Sequence, residues 1–578
     1  MHRLSIRPLF LLICCSVFAY CEEPARDTIF YGGPIVTMNA ESPMAEAVLV
    51  RDGKIEQVGS AKEILALRDA RSELIDLQGN TLMPGFISPH THPDLSAYLY
   101  SFVDLSGFTN GSPEEVKEKL KSAIAEASPG QWIFCRGFDP ILIPGLKTFT
   151  IEELDAMAPQ NPVFILAQSM HSAWANSAAF EAAGITAQTP APAPGSYYEV
   201  RNGKLTGLIA EVEALKPFNE AALKAIDIKS NFVGVMDAYS AHGITSIATA
   251  GLFAKDNKPI MLLRWLSAEN PGFFVRMLGF VGLLPERHGA PRNFVYMKSD
   301  TPDLIPEAPD RSDPGFQIIG VKFWYDGSPY TGSMYLSQPY LDSELMQEGL
   351  GLQPGTSGSP VLKRDVFRSR LEKYHKAGWQ IAIHSQGDQS SREVVDVLEE
   401  ILKENPRKDH RHRLEHCLLL PPDLMQQIKE LGITPSFHIN HLYYYGEALR
   451  DDIIGPERAA KMLPLKSALD EGIRFTLHAD QPMYPEDPLS LVATAVHRQT
   501  RNGQTIGEDQ AIDIQSALKA VTIDAAWQIG QEKNLGSIEV GKMADFVILD
   551  RNPLEPEAAL RKIKVRATYR SGHKIYGD

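Results

Sequence analysis

Short apolar runs separated by turn residues fill both ends of the chain, whereas the middle carries longer apolar and polar periodicities. Between residues 29 and 85 the runs 35–38, 47–51, 55–58 and 74–77 have strand length and β-rich composition, and Asp52-Gly53 supplies hairpin-turn residues between two of them. Segments 536–542, 544–550, 565–569 and 574–576 repeat that texture. Two β-rich ends around a mixed middle predict one small β-sandwich domain built from residues 27–85 and 536–578.

In the middle, strand candidates at 81–88, 163–167, 244–248, 274–280, 318–324, 380–384, 412–416, 434–437 and 474–479 alternate with helical periodicity at 113–127, 365–377, 391–404, 422–431, 463–471 and 514–526. That alternation is what an α/β fold with a parallel barrel requires. The barrel is expected over residues 86–535, interrupted by an insertion at about 105–216. Proline-rich stretches at 188–196 and 301–315 read as exposed loops, and no internal repeat is evident.

Composition narrows the picture. The 578 residues are 44% hydrophobic and 22% charged, which excludes a disordered chain. Acidic residues outnumber basic ones 72 to 57, for a net charge of −15, so the basic footprint of a nucleic-acid binder is missing. Small-molecule or peptide-like partners are expected.

The first residues differ from the rest. Arg3 and Arg7 precede an apolar run at 9–19, and acidic residues begin at Glu22. The run is too short to span a bilayer and polar sequence follows, which predicts a signal peptide over residues 1–21 and a periplasmic or secreted mature protein. The competing readings are an uncleaved membrane anchor and lipidation at Cys21, where Tyr20 occupies a position that lipoprotein signals usually give to a small residue. Cleavage removes two positive charges, taking −15 to −17, and leaves two of five cysteines, Cys135 and Cys417, so no disulfide framework holds the fold.

The chemistry concentrates in Pro89-His90-Thr91-His92. On a strand, residues two apart face the same side, so His90 and His92 aim two imidazoles at one point, which suits a divalent metal. Lys322, His384, His416 and Asp480 each stand at or near the C-terminal end of a strand candidate, where barrel active sites are built. Cys417, next to His416, is assigned to the core by alternation.

With these residues in view, the chain resembles the amidohydrolase superfamily, and within it the amidohydrolase 3 branch that includes N-substituted formamide deformylases. The resemblance runs from Asp52-Gly53-Lys54-Ile55 to Gly541-Lys542-Met543-Ala544-Asp545 and takes in Asn161-Pro162-Val163-Phe164, His171 with Asn176-Ser177, Thr206-Gly207 with Glu211, Asp326-Gly327-Ser328, and His384 with Gly387-Asp388. It implies a distorted TIM (β/α)8 barrel holding two divalent ions, zinc by expectation. His90, His92 and Asp480 would hold one ion and His384 with His416 the other. Lys322, carboxylated to a carbamate, would bridge them. Asp480 would be the general base toward a metal-activated water that cleaves a carbon–nitrogen bond of an amide-like small molecule. A mononuclear deaminase layout is disfavoured, because it lacks the strand-four lysine and usually places a glutamate just after the fifth-strand histidine, where this chain has His384-Ser385-Gln386.

His171, Glu211, Asp326 and His438 are the substrate-binding candidates. Structural readings stand beside them: a buried hydrogen-bonding role for Glu211, turn formation for Asp326, and a satisfied histidine for His438 and His441. The chain departs from the branch at Phe437-His438-Ile439-Asn440 and at His478-Ala479-Asp480, where relatives commonly have glutamine and proline after a Ser-aromatic or Ser-Met pair and Gly-Ser-Asp respectively. The pocket wall therefore differs while the ligand positions survive. Two other functions stay open at this point: an esterase or lactonase on the same centre, and a non-catalytic secreted binding or regulatory protein on a hydrolase fold.

Overall fold

The computed structural model describes residues 27–555 and 559–577. The expected signal peptide, residues 1–21, lies outside the described residues. Eight parallel strands form the central sheet: β1 Phe86–Thr91, β2 Ile244–Leu252, β3 Arg292–Lys298, β4 Phe316–Trp324, β5 Gln380–Ser385, β6 Arg413–His416, β7 Thr434–Phe437 and β8 Thr476–Leu477. Each pairs with the next in chain order from β1 to β8. The seam between β1 and β8 is closed through the loop after β8, where the backbone N–H of His92 donates to the carbonyl of Gln481 at 2.8 Å. The result is a nearly closed barrel of mixed α/β architecture.

The strands are buried on both sides, as parallel strands covered by helices must be. Helix Asp388–Glu404 shows how the outer layer is held. Its Val394, Val395, Val397, Leu398 and Ile401 recur at helical spacing and are buried, each contributing about 1.5–3 kcal/mol by leaving water. Its opposite face carries Arg392 and Lys403 in ion pairs with Asp423 and Glu399.

Both chain ends join one eight-stranded sheet. Strand Thr81–Pro84 pairs antiparallel with Phe546–Leu549, and Val565–Arg570 and His573–Tyr576 follow at that edge. Strand Thr28–Val36 lies three places from Val565–Arg570, about 14 Å away in a flat sheet, yet the rings of Phe30 and Tyr569 stand 5.1 Å apart. The sheet therefore curls over a shared core of Phe30, Val48, Leu82, Phe546 and Ile548. Between β1 and β2 a separate six-stranded sheet, with strands from Val103–Asp104 to Lys204–Ala210, occupies the region expected as the insertion.

Two strand expectations change, the first being that Val163–Ala167 lies in the insertion sheet and not in the barrel. Residues 274–280, read as a strand, form helix Phe273–Phe280. Their aromatic and aliphatic density matches a buried strand, but only Val275 is buried, and a barrel strand needs cover on both faces. The strand in that position is β3, Arg292-Asn293-Phe294-Val295-Tyr296-Met297-Lys298, which its polar residues conceal. Arg292 is buried because Asp545 of the terminal sheet accepts from its Nε at 2.9 Å, and Thr249 donates to the Asn293 amide oxygen at 2.8 Å.

Candidate metal centre

The sequence candidates converge at the C-terminal end of the barrel. His90 Nε2 and His92 Nε2 lie 3.2 and 3.1 Å from the same oxygen, Oδ1 of Asp480. The rings of His384 and His416 stand 4.3 Å apart, and His416 joins the first group with its ring 4.8 Å from that of His90 and its Nδ1 3.9 Å from Asp480 Oδ2. Two of these residues sit on strained backbone: His416 has φ +73° and Asp480 φ +59°. Non-glycine residues at positive φ are uncommon and cluster where packing over-determines a functional geometry.

Electrostatics prepare the group for a cation. Burial, with help from Lys322, pushes the His384 imidazole down to about 3, and His90 and His416 are lowered chiefly by burial as well. Neutral imidazoles are the ligand form. Burial opposes ionisation of Asp480, but its contacts with His90 and His92 hold it well below the usual carboxylate range. Burial pushes the Lys322 ammonium down to about 8 against the pull of Glu415 and Asp480. Its Nζ is buried without a hydrogen-bond partner, as are His90 Nε2, His92 Nδ1, His416 Nδ1 and Asp480 Oδ1. Orphaned nitrogen and oxygen donors that converge in this way fit a divalent ion of the zinc type, and His90, His92 and Asp480 can supply one ligand atom each within 4.8 Å of one another.

The substrate-binding candidates separate. The carboxylate of Asp326 is buried and accepts from the backbone N–H groups of Gln386, Gly387 and Tyr335 at 3.0, 2.9 and 3.1 Å. Burial nevertheless pushes it up to about 6. It clamps the loop after β5 and lies 3.7 Å from His384 Nε2. His171 and Glu211 stand on the insertion sheet, about half exposed, and pair with each other at 2.9 Å. His438 is buried beside the cluster, its ring 5.8 Å from His416, with both nitrogens lacking a partner. His441 is neither at the surface nor free: Tyr330 Oη and Tyr484 Oη lie 2.7 and 2.9 Å from its Nδ1. Cys417 is buried as expected of a core residue.

Three further residues belong to the centre. Glu415 Oε2 lies 2.5 Å from His90 Nδ1, and its Oε1 lies 2.7 Å from Arg413 Nε, all buried. Burial would raise its pKa, but Arg413 and His90 hold it far below the carboxylate range. Strict alternation along β6 sends Glu415 and His416 to opposite faces. The positive φ of His416 breaks that rule and turns both inward, which is why the motif does not reveal Glu415. His478 stacks on His90 with ring centroids 4.5 Å apart.

Glu486, in the loop after β8, is buried with both oxygens unpartnered; Ser88 Oγ lies beside it outside hydrogen-bonding geometry. Burial raises Glu486 from 4.5 to about 8. It then binds more protons folded than unfolded between about pH 4.5 and 8, so its contribution to stability falls as pH rises through that window. Urea unfolding of the metal-free protein should show Glu486→Gln stabilising by on the order of 1–3 kcal/mol at pH 9 and near neutral at pH 5. Equal effects at both pH values would refute an uncompensated buried carboxylate.

Comparison with known proteins finds relatives along nearly the whole chain. The model of the amidohydrolase family matches residues 73–576. An N-substituted formamide deformylase of Arthrobacter pascens is 29% identical over 556 residues, covering 95% of this chain and 98% of that protein. Protein LONG AFTER FAR-RED 3 of Arabidopsis thaliana is 26% identical over 575 residues, covering 95% and 91%. The crystal structure of an uncharacterized metal-dependent hydrolase from Pyrococcus horikoshii shares the fold, with a TM-score of 0.68 at 24% identity over 93% of this chain and 99% of that one. With a family model that spans the barrel and most of the terminal sheet, the chain belongs to the amidohydrolase family.

Proposed function

We propose that this amidohydrolase cleaves a carbon–nitrogen bond of an amide-like small molecule. The convergence of His90 and His92 on one oxygen of Asp480, beside the unpartnered Lys322, carries the reading. His90, His92 and Asp480 would hold one divalent ion and His384 with His416 a second, zinc suiting these donors. Bound there, the ions supply Lewis acidity, which lowers the pKa of water from about 15.7 toward about 7 and polarises a carbonyl.

Lys322, a neutral amine over part of the physiological range, adds carbon dioxide at Nζ with loss of one proton. Such a carbamate would supply anionic oxygen donors to ions held at this centre. Asp480 accepts the proton of the attacking water at its carboxylate and returns it to the leaving nitrogen. Asp326 positions His384 by fixing the loop after β5. His438, beside the cluster, and the His171–Glu211 pair of the insertion would be the substrate contacts. The domains are a small sandwich of residues 27–85 with 536–578, and a hydrolase barrel of residues 86–535 carrying the 105–216 insertion. Arg3, Arg7 and the apolar run at 9–19 support export to the periplasm or medium; N-terminal sequencing of exported protein beginning near residue 22 would agree, and an intact Met1 would not.

The relative from Arthrobacter pascens makes N-substituted formamides the first substrates to assay, each beside its ester analogue. Amide turnover with two metal equivalents per chain is the expected result. Ester turnover alone would move the assignment to an esterase or lactonase, and protein that holds no stoichiometric metal after zinc-replete purification would sink the hydrolytic reading.

A further inference from the structure

Helix Phe273–Phe280 and the residues that follow it hold the largest concentration of apolar side chains on the described surface. Phe273, Phe274 and Phe280 are 86, 59 and 93% exposed, and Met277, Val281 and Leu283 are exposed as well. The helix follows Lys258–Ser267 in the connection that returns from β2 to β3. On the outer layer, Lys229 Nζ of helix Ile228–Ala241 donates to the carbonyl of Leu283 at 2.7 Å.

The three phenylalanines alone present on the order of 450 Å² of apolar surface, already at the upper range of what a monomer exposes in one patch. With Met277, Val281 and Leu283 the patch approaches the roughly 800 Å² that each partner buries in a standard interface. Aromatic residues, methionine and arginine are the types enriched in protein interfaces, and between Gly272 and Pro285 the only charged residue is Arg276. Interfacial membrane helices instead carry several lysines or arginines on the polar face, and a chain of net charge −15 is repelled by anionic lipid.

Arg276, on the helix, and Glu286, three residues beyond Leu283, are both exposed. Neither forms an ion pair among the described residues; burial lowers the Arg287 pKa most, and Arg276 lies near enough to Arg287 to disfavour its charge as well. In a two-fold contact residue i of one copy meets residue j of the other and j meets i, so two exposed charges of opposite sign beside one apolar face can pair twice across it. We propose that the face formed by Phe273, Phe274, Met277, Phe280, Val281 and Leu283 is the contact between two copies of this chain, with Arg276 of each copy opposite Glu286 of the other. The proposal is independent of the catalytic reading.

Sedimentation equilibrium of the full chain tests it. The wild type is expected at twice the 63.9 kDa chain mass at micromolar concentration. Phe273→Glu with Phe280→Glu should shift it to the single-chain mass, raising the dissociation constant at least 100-fold, with an unchanged circular dichroism spectrum. Arg276→Glu should weaken association, and adding Glu286→Arg should restore it; this swap leaves the apolar residues in place and reads the geometry even where the double glutamate variant folds poorly. A wild type that sediments as one chain at 50 μM would overturn the proposal. So would dimers that persist in the glutamate variant, or a monomer that floats with phosphatidylcholine/phosphatidylglycerol vesicles in a Phe280-dependent manner, which would assign the face to lipid.

Discussion

Asp480→Asn is expected to lower kcat by about 10⁴-fold while the protein keeps its fold. Asparagine preserves the shape of the side chain but cannot accept the proton of water, and loss of a positioned general base costs 10²–10⁴-fold. The second penalty is the metal. His90 and His92 converge on the one oxygen Oδ1 of Asp480, and an amide oxygen there is a neutral donor in place of an anionic one. Because His90 and His92 hold the Asp480 carboxyl well below the usual range, the proposed base should remain ionised throughout the neutral range, and acidification should not mimic the variant until the proposed histidine ligands protonate. Steady-state kinetics and metal content should be measured on the same preparation. A variant with full turnover would remove Asp480 from the role of base, and one with full metal content but no turnover would separate that role from ligation.

Glu415→Gln should have the largest effect on stability. The carboxylate lies between buried Arg413 and buried His90, and neutralising it leaves the guanidinium without a counter-charge in the barrel interior. Breaking one member of a buried ion pair costs about 3–5 kcal/mol. Loss of the carboxylate that orients a ligating histidine costs about 10–100-fold in metal affinity. The two effects separate in the double variant Arg413→Met with Glu415→Leu. It should recover most of the stability, because an apolar pair of similar volume avoids desolvating the charges, yet it should still bind metal weakly because His90 Nδ1 has lost its acceptor. Urea unfolding and competitive zinc titration read the two quantities independently; equal stability of wild type and Glu415→Gln would refute the buried-pair account. The pH dependence has a definite sign. The folded pKa of Glu415 lies below the unfolded value of 4.5, so its stabilisation is fully present above that value and is lost as pH falls toward the folded one.

The parts of this centre differ in how legible they are along the chain. His90 and His92 are two residues apart on one strand, so local periodicity alone places them together. Lys322, His384, His416 and Asp480 are legible because each ends a strand-like apolar run and because the whole series matches a family pattern. Glu415 is hidden by the reversed backbone of His416, and Glu486 by its place in a loop with no periodicity. Helix Phe273–Phe280 reads as a strand for a related reason: its composition is that of a buried strand, and only contact with the rest of the molecule shows that Phe273, Phe274, Met277 and Phe280 face outward.

Side-chain type and spacing within one element are enough to reveal the alternation that builds an α/β barrel, the β-rich ends and the candidate residues of the centre. The tertiary structure decided which oxygen the histidines share, which buried groups lack partners, that Asp326 is spent on three backbone amides, and that both ends of the chain enter one sheet. Those outcomes depend on distances between residues up to hundreds of positions apart and on how much water each group loses, and neither quantity is carried by any local stretch of sequence.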